Sequence, residues 1–245
     1  MPITLNLHKA VPALKLVLEK RGILKMPNVE MCAIVDVSGS FEDEHLDGTT
    51  TDLLTRLAPW GLSFDPDRQL DVFSFANGPG SAHHVGALNE ANYQGFVQRQ
   101  IVRKVPGWNG GTDYSYVLEA MLQHYGWMPK PAGLLGALFG RKPAAGPQRR
   151  TLAVFITDGD NTDKDRTREV LTRSQARGDE VYFLFLGVSN QGGGRFPFLE
   201  SIGDDFGNTG FKRVDNVRAF VQQSDEQIND YLIDPELGGW LGRTV

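Results

Sequence analysis

The chain is poor in cysteine, in clustered positive charge and in long apolar runs, and each shortage excludes a class of protein. Cys32 is the only cysteine among 245 residues, so no internal disulfide can form. It lies in an apolar stretch, where a thiol behaves as a small buried hydrophobe. Lys and Arg number 25 against 30 Asp and Glu, a formal net charge of -5, and the basic residues form no stripe. That pattern argues against nucleic acid as a partner. No apolar run approaches the ~20 residues needed to cross a bilayer, so no transmembrane segment is expected. Lys9, Lys15, Glu19, Lys20 and Arg21 interrupt the apolar residues near the amino terminus, which does not fit a signal-peptide layout. A cytoplasmic protein is expected. Gly192-Gly193-Gly194 lacks the Lys-Ser/Thr that follows a phosphate-binding loop and reads as a plain loop.

What is present is an alternation of buried-strand and helix patterns, in a length that suits one α/β unit with a large core. Strand patterns run from Cys32 to Asp36, Leu70 to Phe75, Thr151 to Thr157 and Val181 to Val188, with an edge strand over 210–214. Ser81 to Leu88 fits a short hairpin partner after the turn Asn77-Gly78-Pro79-Gly80. His83 and His84 fall there and read as surface residues rather than ligands. Helical spacing covers Leu46 to Leu57, ending near Pro59, then Tyr93 to Val102, 113–125, 165–177 and a closing helix from Val217 to Tyr231. Near the amino terminus, Ile3, Leu5 and Leu7 alternate as a short strand would. Ala10, Leu14, Val17 and Leu18 follow helical spacing, although a Leu-Val-Leu run also suits a strand.

The strongest signal is Cys32-Ala33-Ile34-Val35-Asp36-Val37-Ser38-Gly39-Ser40. An apolar run that ends in Asp is a central strand whose end reaches the carboxyl edge of the sheet, where open α/β sheets bind ligands. Asp36, Ser38 and Ser40 offer hard oxygens of the kind Mg²⁺ prefers. Taken alone, Asp-x-Ser-x-Ser more often marks a strand running into a Ser-capped helix. Two later stretches weigh against that reading: Gly110-Gly111-Thr112-Asp113, just before a helical pattern, and the strand ending Thr157-Asp158-Gly159.

In that order and on those elements, the three motifs resemble the von Willebrand factor A (VWA) domain and its metal-ion-dependent adhesion site. The resemblance implies a doubly wound, Rossmann-like α/β fold. Its sheet would be mostly parallel with one antiparallel edge strand, and helices would cover both faces. It also implies metal ligation by Asp36, Ser38, Ser40, Thr112 and Asp158 of one divalent cation, Mg²⁺ or Ca²⁺ with Mn²⁺ as an alternative. Recognition would then run through an Asp or Glu of a protein partner. Trp108 and Asn109, in the loop leading to Thr112, are expected to border that contact, with loop packing as the competing role. Within the class, Leu18-Glu19-Lys20-Arg21, Leu70 to Phe75, Gly110-Gly111-Thr112 and Phe155 to Asn161 resemble the bacterial tellurium-resistance (Ter) branch. That implies a stress-response component assembling with other Ter proteins. The expected organisation is an amino-terminal extension over 1–28, a VWA domain over 29–233 and a tail over 234–245.

Several features stand apart from this scheme. Phe41 occupies a position where many family members have Met. Glu42, Asp43 and Glu44 offer acids for a second cation, but they equally suit a helix start. Asp160, Asp163 and Asp165 meet only part of a calcium-loop pattern, since Asp163 stands where its Gly belongs. Residues 126–150 form a Pro- and Gly-rich insertion; its segment 133–142, apolar and then basic, is a candidate for peripheral membrane association or partner docking, against the stronger expectation of a mobile insertion whose apolar residues fold back on the body. The rival function is a metal-dependent phosphoester hydrolase. Against it, Ser38 stands where a dehalogenase-type site needs a second Asp, and no His or Lys is expected beside the site as a general base.

Overall fold

The computed structural model describes residues 7–129, 148–190 and 194–243. Six strands form one sheet: β1 (Glu30–Asp36), β2 (Leu70–Phe75), β3 (His83–Leu88), β4 (Thr151–Thr157), β5 (Val181–Val188) and β6 (Thr209–Val214). Their order is β3-β2-β1-β4-β5-β6. All neighbours are parallel except β2 and β3, so β3 is the one antiparallel edge strand, as expected. From β1 the chain builds outward through β2 to β3, and from β4 outward through β5 to β6. The order therefore reverses between β1 and β4, the place where sheets of this type bind ligands.

The interior strands are apolar at consecutive positions because both faces are covered. Met31, Ala33 and Val35 join one core with Leu152, Val154, Leu184 and Leu186, while Cys32, Ile34, Phe155 and Phe185 join the other. The first core is closed by α1 (Leu7–Lys20), α3 (Thr49–Phe64), α4 (Phe96–Gln100), α8 (Val217–Phe220), α9 (Asp225–Leu232) and α10 (Pro235–Leu241). The second is closed by α5 (Ser115–His124), α6 (Lys164–Arg177) and α7 (Pro197–Asp205). The rings of Phe75, Phe155 and Phe185 touch in a row beneath α5, with centroids 4.7 and 5.3 Å apart. Each such pair contributes about 0.5–1.5 kcal/mol beyond its buried area.

Three helices differ from the sequence expectation. α3 begins at Thr49 and runs through Pro59 to Phe64. The proline removes one N–H, but Trp60 and Phe64 beyond it are fully buried, and Trp60 Nε1 donates to Asn229 Oδ1 at 2.7 Å. Packing outweighs the lost bond. The closing helix is two, α8 and α9, because Ser224 and Gln227 form a capping box that starts α9 afresh. α4 is a single short segment rather than a helix over Tyr93 to Val102. α1 confirms the helical spacing of Leu14, Val17 and Leu18, all buried. The alternation begun at Ile3 and the segment 133–142 lie outside the described residues. Among the described residues no helix is long and apolar enough to cross a membrane.

Candidate metal centre

β1 ends at Asp36, which is fully buried. Its carboxylate is fixed from two sides: Ser38 N donates to Oδ1 at 2.8 Å and Thr157 Oγ1 donates to Oδ2 at 2.6 Å. From there a chain of oxygens runs outward. Ser38 Oγ lies 3.3 Å from Ser40 Oγ, and Ser40 Oγ donates to Asp158 Oδ1 at 3.0 Å. Four of the five expected ligands are thus joined by direct contacts or through Asp36's own turn. Ser38 is buried, Asp158 half-buried and Ser40 exposed, so the cluster deepens from solvent toward Asp36.

The second loop is tied to the first through its backbone. Asn109 N donates to Val37 O at 2.8 Å, and Gly39 N donates to Gly110 O at 2.9 Å. Gly39 leaves room for the Asn109 side chain, whose Oδ1 would stand 2.7 Å from a Cβ placed on Gly39. Asn77 Oδ1 accepts from Gly111 N at 3.0 Å, Asp113 Oδ2 accepts from Gly78 N at 2.8 Å, and Thr112 O accepts from Thr162 N at 3.0 Å. Thr112 is thus tied by its main chain to the loop after Asp158. Its hydroxyl makes no hydrogen bond to the other four residues. Asn109 is exposed, with φ 63, whereas Trp108 is half-buried, packs on the first core and lies 5.3 Å from the His45 ring.

The three acids after Asp158 play no joint part. Asp163 caps α5 from another loop, its two oxygens accepting from Tyr114 N and Ser115 N at 2.9 Å each, and Asp160 pairs with Lys164 at 2.7 Å. Of the acids after Phe41, Glu44 accepts from Asn190 at 2.8 Å and Glu42 lies 4.0 Å from Arg103.

Burial pushes the Asp36 carboxyl up to about 7, with the charge of Asp158 adding to it, against the hydrogen bonds from Thr157 and Ser38. Asp158 is likewise raised by burial, and the charge of Glu44 adds to that. Burial thus disfavours the charged forms of both carboxyls, which a bound cation would favour, and the cluster's donors are all hard oxygens. Both properties fit a divalent cation.

One expectation is corrected here. His45 of α2 (Glu42–Leu46) lies directly beneath the site, fully buried, with Nε2 2.7 Å from the main-chain oxygen of Asp36. That partner is an acceptor only, so Nε2 carries the proton. Burial holds the imidazole down to about 4. It supports the end of β1 and is neutral and out of solvent. Sequence reading also passed over Thr157, whose position inside Thr-Asp-Gly at a strand end was the available signal. Asn77 and Asp163 carried none, since their partners are distant in sequence.

Comparison with known proteins identifies the family. A family model described as the vWA found in the TerF C terminus matches residues 28–243. The uncharacterized protein YcbR of Bacillus subtilis is 24% identical over 243 residues, 97% of this chain and 86% of YcbR. Among solved structures, proximal thread matrix protein 1 from the mussel byssus, described with a zinc-occupied MIDAS motif, aligns with TM-score 0.55 at 16% identity. The alignment covers 86% of this chain and 48% of that one, so the chain spans about half that protein's length. The TFIIH p34 amino-terminal domain aligns with TM-score 0.51 at 17% identity, over 80% of this chain and 95% of that one. Architecture, strand-end motifs and family match agree: the chain belongs to the VWA family of the kind found at the TerF carboxyl terminus.

Proposed function

We propose that the chain is a divalent-metal-dependent protein-recognition module whose partner contributes an Asp or Glu carboxylate at the rim of the sheet. The observation that carries this is the oxygen cluster of Asp36, Ser38, Ser40 and Asp158, buried at its inner end and open at its outer end. Asp36, Ser38, Ser40, Thr112 and Asp158 would hold one ion, Mg²⁺ or Ca²⁺, with Mn²⁺ the next choice. Since hydroxyls are neutral, two carboxylates only just offset a divalent charge, and the bound ion supplies an electrophilic position that an incoming carboxylate fills. The chain's own work is positioning. Thr157 and the Ser38 amide aim Asp36, His45 braces the strand end behind it, and Asn77, Asp113 and Asp163 hold the Thr112 loop in register. Trp108 and Asn109 stand beside this loop and would border the contact.

The relation to the TerF carboxyl-terminal domain supports a role in a tellurium-resistance or stress-response system, in the cytoplasm, with Ter proteins as partners. Membrane association through 133–142 is an additional proposal carried by sequence alone. A phosphoester hydrolase is the weaker reading, because the nearest imidazole, His45, is buried and already committed to a main-chain oxygen. The test is partner capture by the full chain with and without EDTA. Binding is expected to need metal, to fail in Thr112→Ala, and to weaken in Trp108→Ala with metal affinity intact. Capture unaffected by EDTA would show that the chain recognises by another surface.

A further inference from the structure

A second group of ligating side chains converges at the amino-terminal end of the sheet, on the face covered by α5. Asp71 is the second residue of β2, His84 the second of β3 and His124 the last of α5. One ligand atom from each lies within 4.8 Å of the other two. His84 Nε2 is 3.0 Å from Asp71 Oδ1, and His124 Nε2 is 3.3 Å from Asp71 Oδ2. The two imidazole rings are 4.6 Å apart, and Phe73 backs both, at 4.8 and 5.4 Å. Tyr125 OH donates to Asp71 Oδ2 at 2.8 Å.

This meeting depends on an irregularity in the sheet. The register between β2 and β3 slips between Val72 and Phe73, so that Val72 pairs with Gly86 but Phe73 pairs with His84. Side chains alternate across a strand. An unbroken register would set Val85 opposite Phe73 and turn His84 to the other face. The bulge instead puts His84 on the side of Asp71, Phe73 and α5, and bulges re-aim side chains in this way next to functional sites.

The donor set differs in kind from the rim. Two imidazoles and one carboxylate suit zinc and its neighbours rather than magnesium or calcium. Ligands of a tetrahedral zinc at ~2.0–2.1 Å stand about 3.3 Å from one another; His84 and His124 stand 3.0 and 3.3 Å from different oxygens of Asp71, and the three donor atoms lie within 4.8 Å of one another, so small side-chain rotations bring them to that spacing. Both histidine side chains are more than a third exposed, which leaves the ion an entry path and a place for water.

We propose that Asp71, His84 and His124 form a transition-metal site of the zinc class, separate from the oxygen-lined rim, with water as the fourth ligand. Tyr125 is its positioning residue, holding the Asp71 carboxylate. A bound ion clamps the edge strand β3 to the end of α5. Without an ion, the same contacts are those of a carboxylate accepting from two imidazole N–H groups, and metal titration separates the two states.

The experiment uses the full chain carrying Asp36→Ala, which takes the rim out of the measurement, and Zn²⁺ and Co²⁺ as probes. Expected are one equivalent of Zn²⁺ by calorimetry, a visible absorption band with Co²⁺, and a rise in Tm with Zn²⁺. Adding His84→Ala or His124→Ala lowers Zn²⁺ affinity at least ~100-fold and removes the Co²⁺ band and the Tm rise. Adding Tyr125→Phe weakens Zn²⁺ binding about tenfold. If an Ala variant misfolds by circular dichroism, His84→Gln and His124→Gln give the same reading with the ring space filled. Zn²⁺ affinity unchanged in the histidine variants, or no Zn²⁺ bound once Asp36 is replaced, overturns the proposal.

Discussion

The two ends of the sheet solve the same problem, gathering ligand atoms at one point, by different means. At the carboxyl end, hydroxyls and carboxylates from the loops after β1 and β4 meet, and the Thr112 loop is locked to them by backbone bonds such as Gly39 N to Gly110 O at 2.9 Å. At the amino end, two imidazoles and a carboxylate project from regular elements, and a strand bulge sets their meeting. Loop construction yields hard, neutral-rich donors around an open position. Register construction yields a softer set held by the sheet itself. If both proposed sites bind ions, their metal preferences should follow these donor sets, and their sensitivity to mutation should follow the architecture that holds each set.

The sharpest break of that comparison is Asp36→Ala. It would remove one of only two charges offsetting a rim ion, so Mg²⁺ or Mn²⁺ binding is expected to be lost in calorimetry while Zn²⁺ binding at the proposed amino-end site is expected to persist. Unchanged Mg²⁺ affinity would sink the rim assignment. Next in size is Thr157→Val, which deprives the buried Asp36 Oδ2 of its donor. It is expected to cost about 1–3 kcal/mol in urea unfolding with EDTA present, leaving Zn²⁺ binding alone. A control away from both ends is Ser224→Ala, which breaks the capping box of α9. A loss of about 1 kcal/mol with both metal affinities intact is expected; a change in either affinity would mean the two ends are not independent of the helical layer.

A separate effect concerns pH at the amino end. Asp65 accepts from Met31 N at 2.9 Å and Asp67 N at 2.8 Å, yet burial pushes its carboxyl up to about 6. Its folded value lies above the unfolded one, so between about 4 and 6 the native state binds more protons than the unfolded chain. Its contribution is fully present below about 4 and is lost as pH rises through 6. Asp65→Asn is expected to remove that segment of the stability–pH curve, read from urea midpoints at pH 4 to 7. An identical curve in the variant would show that Asp65 does not titrate there.

Much of the fold was legible because burial on both faces leaves long apolar runs, as in Cys32 to Val35 and Val181 to Val188. The cluster of Asp36, Ser38, Ser40 and Asp158 was legible because these residues end such runs in short contiguous motifs. Pro59 misled because local propensity cannot see Trp60 seated against Asn229. The break before α9 was written in Ser224 and Gln227 but was overruled by apolar spacing. His84 looked like surface decoration because its partners, Asp71 and His124, stand 13 and 40 positions away.

The sequence by itself determined the α/β class, the places where strands end and the oxygen chemistry set there, because those depend on short-range periodicity and neighbouring residue types. Only the tertiary structure decided what meets across elements: Thr157 on Asp36, His45 beneath the strand end, Asp163 as the cap of α5, and two histidines on Asp71. The physical reason is that such meetings depend on strand register and helix packing. These are set by the whole core at once and leave no local trace in the chain.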